Sequence, residues 1–94
     1  MIEVIWSSGF KRSFRKITKK NPQLEDQVIK VLRVLANDPF TPSLKSHKLG
    51  GNLTGLWSSS VGYNCRIVFS FSEDEKLLKM VVLLIDIGTH DEVY

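Results

Sequence analysis

Hydrophobic positions along the chain follow two different periods. The opening stretch Ile2-Glu3-Val4-Ile5-Trp6 is short and rich in β-branched and aromatic residues, which predicts a first strand. Ser7 and Ser8 follow, and serine caps helices well. Phe10, Phe14 and Ile17 then recur at i, i+4 and i+7, the spacing of one buried helix face. Asn21-Pro22 predicts a restart, with Asn21 as N-cap and Pro22 at the first helical position, where no N–H is needed. Glu25 and Asp26 suit the positive end of that second helix. Leu24, Val28, Val31, Leu32 and Leu35 supply its core face, and Asn37-Asp38-Pro39 stops it.

Beyond this point the helical period disappears. Residues 38–52 are rich in Pro, Ser and Gly and predict a loop. Strands are expected over 53–60, 64–71 and 77–87, with turns at Gly62 and at Glu73-Asp74-Glu75. The last run is almost wholly apolar, as a central strand covered on most of its length should be. The order β-α-α-β-β-β predicts an α+β fold, a helical hairpin packed on a mostly antiparallel four-stranded sheet. A chain of 94 residues suits one domain spanning 1–94.

Composition adds little until charge is mapped. A hydrophobic share of 43% with 24% charged residues describes a folding chain, not a disordered one. The net charge of +3 conceals an asymmetry: residues 1–70 carry 11 Lys/Arg against 4 Asp/Glu, residues 71–94 carry 2 against 6. Lys11, Arg12, Arg15, Lys16, Lys19 and Lys20 crowd into the first helix without one acid. Like charges at i, i+4 repel, so this face weakens its helix unless an anion lies against it. A polyanion such as RNA is one partner for it; a solvated helix face is the other reading.

Other chemistries are disfavoured. The lone Cys65 excludes an internal disulfide, fits a reducing cytosol and sits in an apolar run, where a small buried hydrophobe is expected. One cysteine and two distant histidines form no metal-ligand cluster, and no cofactor is expected. The first residues lack a basic leader, so no signal peptide is expected and a cytoplasmic location is. The apolar run 80–88 is too short to cross a bilayer and contains Asp86, so no membrane partner is expected.

The candidate chemistry lies in the loop, one strand and the tail. His47 and His90 are the two histidines, and histidine as a residue type exchanges protons near neutral pH. Arg66 opens an apolar strand, where a guanidinium is costly unless it is paired with an acid such as Asp86 or faces a cleft. Lys45 and Lys48 are backbone-binding cations or plain loop charge. Trp57, Phe10, Phe14, Phe69 and Phe71 read as core, and Tyr63 as a turn tyrosine with the option of stacking on RNA.

Three stretches carry a family resemblance. They are Ser46-His47-Lys48-Leu49-Gly50-Gly51; Gly55-Leu56-Trp57 with Gly62-Tyr63-Asn64-Cys65-Arg66-Ile67-Val68-Phe69; and Gly88-Thr89-His90-Asp91-Glu92-Val93-Tyr94. In this order and spacing they resemble the RelE/ParE superfamily of type II toxin–antitoxin systems, nearest its YafQ-like and RelE-like messenger-RNA interferases. The resemblance implies a microbial ribonuclease fold and a metal-independent endoribonuclease that cuts mRNA in the ribosomal A site. There the ribose 2′-OH attacks the adjacent phosphate, leaving a 2′,3′-cyclic phosphate and a free 5′-OH. It also implies a cognate antitoxin, with operator DNA contacted only through it.

Carried over position by position, His47 and His90 match catalytic histidines and Arg66 matches a strand arginine that holds phosphate. Lys48 becomes a second cation, and Tyr94 the closing aromatic that stacks on a base or orients the scissile phosphate. Lys45 and the helix cations Lys11, Arg12, Arg15, Lys16 and Lys19 become RNA-binding. Ser60 and Asn64 stand about where YafQ-like toxins carry a further His and an Asp, so the proton work rests on two histidines. The alternatives are a ParE-like toxin that inhibits DNA gyrase and cuts nothing, and a degenerate toxin surviving as an antitoxin-bound corepressor.

Overall fold

Strand β1 (Glu3–Trp6) leads straight into helix α1 (Ser8–Lys20) in the computed structural model, which describes residues 1–62, 64–76 and 78–94. Ser7 is the N-cap: its hydroxyl accepts from the Phe10 N–H at 3.0 Å and donates to the Ile85 carbonyl at 3.4 Å. Helix α2 (Pro22–Asn37) begins where the Asn-Pro pair predicts. Asn21 stands at its N-cap position without a side-chain capping bond, while its N–H closes α1 on the Ile17 carbonyl at 3.0 Å. One residue therefore ends one helix and starts the next, and a joint that short makes a hairpin.

Besides two short 3-10 turns at Pro42–Leu44 and Gly51–Leu53, the second of which delays the strand expected from Leu53 until Trp57, the remaining elements are β2 (His47–Lys48), β3 (Trp57–Val61), β4 (Cys65–Asp74), β5 (Lys79–Gly88) and the one-turn helix α3 (His90–Val93). They form one mixed sheet in the order β1-β5-β4-β3-β2, with β1 parallel to β5 and the other pairs antiparallel. All four expected strands are present. The fifth, β2, lies inside residues expected as loop; a two-residue strand leaves no period of its own and exists through its pairing with β3. The expected turn at Glu73-Asp74-Glu75 is displaced, because β4 runs on through Asp74. Leu77, expected to open the last strand, and Tyr63 lie outside the described residues.

Both helices cover the same sheet face. Phe10, Val28, Leu32 and Leu35 meet Ile67, Phe69, Val82, Leu84 and Ile87 there, and Trp6 packs edge-on against both Phe10 and Phe14 at 5.0 Å. Trp57 and Phe71 are partly buried, joined by Phe40, which is 58% exposed. Cys65 is buried, as expected.

A β-bulge breaks the central pairing. Phe69 pairs with Leu84 but Val68 with Asp86, so Ile85 is an extra residue on β5. Because side chains alternate, one extra residue exchanges the two faces for everything beyond it. In an unbroken register Asp86 would oppose Ile67 in the core. The bulge puts Ile87 there instead and turns Asp86 to the opposite face.

Candidate active site on the open face of the sheet

Cross-strand partners in an antiparallel sheet share a face, with Cβ atoms about 5 Å apart. On the face away from α1 and α2, His47, Ser58, Val68 and Asp86 follow one another across β2, β3, β4 and β5. The next row holds Ser60, Arg66 and Gly88. Ser58 and Val68 are buried, although neither belongs to the hydrophobic core cluster.

Helix α3 returns the end of β5 across this face. Its N-cap Thr89 forms a capping box: the Thr89 hydroxyl accepts from the Glu92 N–H at 3.3 Å, and Glu92 Oε1 accepts from the Thr89 N–H at 2.9 Å. Those two bonds, the backbone one first, hold the Glu92 carboxyl below the usual carboxylate range, with lesser help from Lys16 and Lys20. Gly88 makes the fold-back possible, since a Cβ there would stand 3.1–3.2 Å from Glu92 and Val93 side-chain atoms. The Tyr94 hydroxyl then donates to the Ser58 hydroxyl, and the His90 ring stands edge-on to the Tyr94 ring at 4.4 Å. His90 is 65% exposed, and its Nδ1 lies 3.7 Å from the Asp91 carboxylate, an ion pair whenever the ring is protonated.

Arg66 is half-buried and donates to the Ser60 hydroxyl. It forms no ion pair with Asp86, so the salt-bridge alternative is not realised. His47 is exposed; its Nδ1 donates to the Lys45 carbonyl at 3.1 Å, which leaves Nε2 as the ring atom free for a substrate. The structure thus gathers His47, Arg66, His90 and Tyr94 on one surface floored by serines.

The other candidates lie elsewhere. Lys48 pairs with Trp57 on the helix-covered side, its Nζ 5.7 Å from the indole, so it is separated from the histidines. Lys45 is exposed beside His47. Lys11, Arg12, Arg15, Lys16 and Lys19 are all carried on α1, across the sheet from Arg66. Ser58 and Asp86 belong to the site face, yet only Asp86 stands out in the sequence, and there as a partner for Arg66. Asn64 is exposed in the turn before β4 and lines a crevice of about 360 Å³ with Asn21, Gln27 and Glu92. Beside that crevice burial, seconded by the Glu92 charge and opposed by Arg66, pushes the Cys65 thiol up to about 11. Among the described residues no three His, Cys, Asp or Glu side chains gather as a metal site. No described helix is long and apolar enough to cross a membrane.

The family profile described as the bacterial toxin of type II toxin–antitoxin systems, YafQ, matches residues 2–94. The chain belongs to the YafQ toxin family. The fold of this YafQ-family toxin recurs in solved structures. Crystalline YafQ from E. coli strain BL21(DE3) superposes with a TM-score of 0.78 at 14% identity, covering 100% of this chain and 99% of that one. A YoeB/ParE toxin from Agrobacterium tumefaciens gives 0.75 at 17% identity, covering 95% and 99%. The E. coli DinJ–YafQ toxin–antitoxin complex gives 0.75 at 15% identity, covering 99% and 97%. Comparison with curated protein sequences gives no match.

Proposed function

We propose that this YafQ-family toxin is a metal-independent endoribonuclease that cuts messenger RNA in the ribosomal A site and is held silent by a cognate antitoxin. The convergence of His90, Arg66, Tyr94 and His47 on the serine-floored face carries that reading. Transesterification at a phosphodiester needs a base for the 2′-OH, an acid for the departing 5′ oxygen and cations for the crowded phosphorane. The Arg66 guanidinium, tethered through one nitrogen to Ser60, offers a planar fork to the phosphate oxygens. His90 is the proton-transfer group nearest the scissile bond, and His47 faces it across Ser58. Tyr94, fixed by Ser58, supplies a ring for a base to stack on.

The antitoxin reading is supported by the E. coli relative, whose structure is a DinJ–YafQ toxin–antitoxin complex. Operator DNA is contacted only through the antitoxin, and action on ribosomes places the toxin in the cytoplasm. The cations of α1, together with Lys45, hold RNA phosphates away from the cut.

His90→Ala and Arg66→Ala each lower cutting by ~100-fold or more, the usual worth of a proton-transfer group or an oxyanion donor, and relieve growth arrest while antitoxin binding persists. Transcripts mapped after a short pulse of expression carry codon-phased ends bearing 5′-OH groups. A DNA-damage response without cut transcripts overturns the ribonuclease in favour of a gyrase inhibitor.

A further inference from the structure

The register of β4 and β5 sets three complementary side chains around Gly88. Arg66 is its cross-strand partner, Asp86 lies two residues before it on the same face, and His90 lies two residues after it in α3. Two residues of strand span about 6.6 Å and a cross-strand pair about 5 Å. His47, by contrast, stands two strand spacings and two residues from Arg66, roughly 12 Å. Acid and base must reach two oxygens on the phosphorus that Arg66 holds, and Asp86, on the strand beside Arg66, is the nearer candidate base.

We propose that Asp86 is the general base that takes the 2′-OH proton, a role that rests on the ribonuclease function proposed above. On a face that receives a polyanion, a carboxylate opposes binding. Its place there is not incidental, because the bulge at Ile85 is what turns Asp86 out of the core and onto the row of Ser58 and His47. Oδ1 accepts the Ile87 N–H at 2.8 Å, which fixes the side chain, and Oδ2 has no partner among the described residues. Arg66 is turned toward Ser60 on the β3 side, so cation and carboxylate do not neutralise each other.

The step balances with these groups alone. The O2′ proton passes to Asp86 Oδ2 as O2′ bonds to phosphorus; the P–O5′ bond breaks, and O5′ takes a proton from protonated His90. Asp86 leaves the step protonated and His90 neutral, and exchange with water resets both. His47 is then a strand-holding residue at the far end of the row.

The test uses ribosomes programmed with a short labelled messenger RNA, cutting followed in a single turnover, and a 2′-deoxy version of the same RNA to measure binding without cutting. Asp86→Asn is expected to cut ~100-fold more slowly or worse while binding the deoxy RNA as tightly or more tightly. His47→Asn is expected to weaken binding more than it slows the cut. The matched pair Asp86→Glu and Asp86→Gln repeats the comparison should the Asn variant fold poorly, with Glu expected to be at least about tenfold faster than Gln. Wild type that cuts alongside an Asp86→Asn that cuts within about threefold of it overturns the base assignment alone. So does a slower cut matched by equally weakened binding, or Glu cutting no faster than Gln. Wild type that cuts no RNA overturns the ribonuclease function and the base with it.

Discussion

Cys65 shows how one side chain divides the molecule. It sits beside Arg66 in sequence, yet alternation sends its thiol into the core while the guanidinium faces the open surface. Burial, and after it the negative charge of Glu92, raises the thiol from an ordinary 9.0 to about 11, so it is uncharged at neutral pH. The group is an acid whose folded value lies above its unfolded one. Its stabilising contribution is therefore complete below about pH 9 and is lost as pH rises toward about 11. Native protein is expected to resist a thiol reagent such as dithionitrobenzoate at pH 8 and to react completely once denatured. The denaturation midpoint should fall between about pH 9 and about 11, and Cys65→Val should lack that part of the fall. Rapid labelling of the folded chain at pH 8 would contradict the burial.

At the scale of elements, α3 is one turn long, far below the length at which a helix holds itself together. The Thr89–Glu92 capping box, the Tyr94–Ser58 bond and the space over Gly88 hold it. Thr89→Ala is expected to cost about 1 kcal/mol locally, seen as faster amide exchange at Glu92–Tyr94 with the sheet unaffected. Equal acceleration in the core of the sheet would mean that α3 is not an independent unit. Glu92 adds a pH dependence: its carboxyl is depressed in the folded state, so its contribution is present above the usual glutamate range and lost as pH falls through the folded value. Protection of the last residues should fade in acid before the strands open.

The helices were legible in the sequence because their apolar spacing and the Asn21-Pro22 joint are local signals. His47, Arg66, His90 and Tyr94 were legible through their motifs, and the structure brings those four together. Two features were not. Strand β2 is two residues long and exists through its partners Ser58 and Trp57. The bulge at Ile85 leaves no trace because residues 81–85 are apolar without alternation, so neither face is marked and a parity change passes unseen. Asp86 therefore carried no mark of the site and was read only as a possible partner for Arg66, while Lys48 was read as a second cation at the site. Adjacent residues on a strand point to opposite faces, and Lys48 lies over Trp57.

Across the whole molecule, the sheet separates two charged surfaces. Arg66, His47 and His90 occupy one side, and the α1 cations the other, with Lys16 and Lys20 near enough to Glu92 to influence it. Neutralising Lys11, Arg15 and Lys19 together is expected to weaken ribosome binding. It should also flatten its salt dependence by about 0.7 to 0.9 in log–log slope for each phosphate no longer neutralised. The bond that is cut should not change. A salt slope equal to wild type would show that these lysines and arginine hold no RNA, and a shift in the cut position would show that they also set its register.

That separation gives the toxin two handles with different heritable fates. Under the proposed ribonuclease function, loss of His90 or Asp86 is expected to disarm the molecule while leaving its grip, so that the inactive toxin occupies ribosomes and shields them from active copies. Loss of the α1 cations is expected to do the reverse, leaving a competent site that rarely reaches its target. Cells escaping intoxication should therefore yield two classes of survivor, and only the first should protect a neighbouring wild-type copy's targets when both are expressed together.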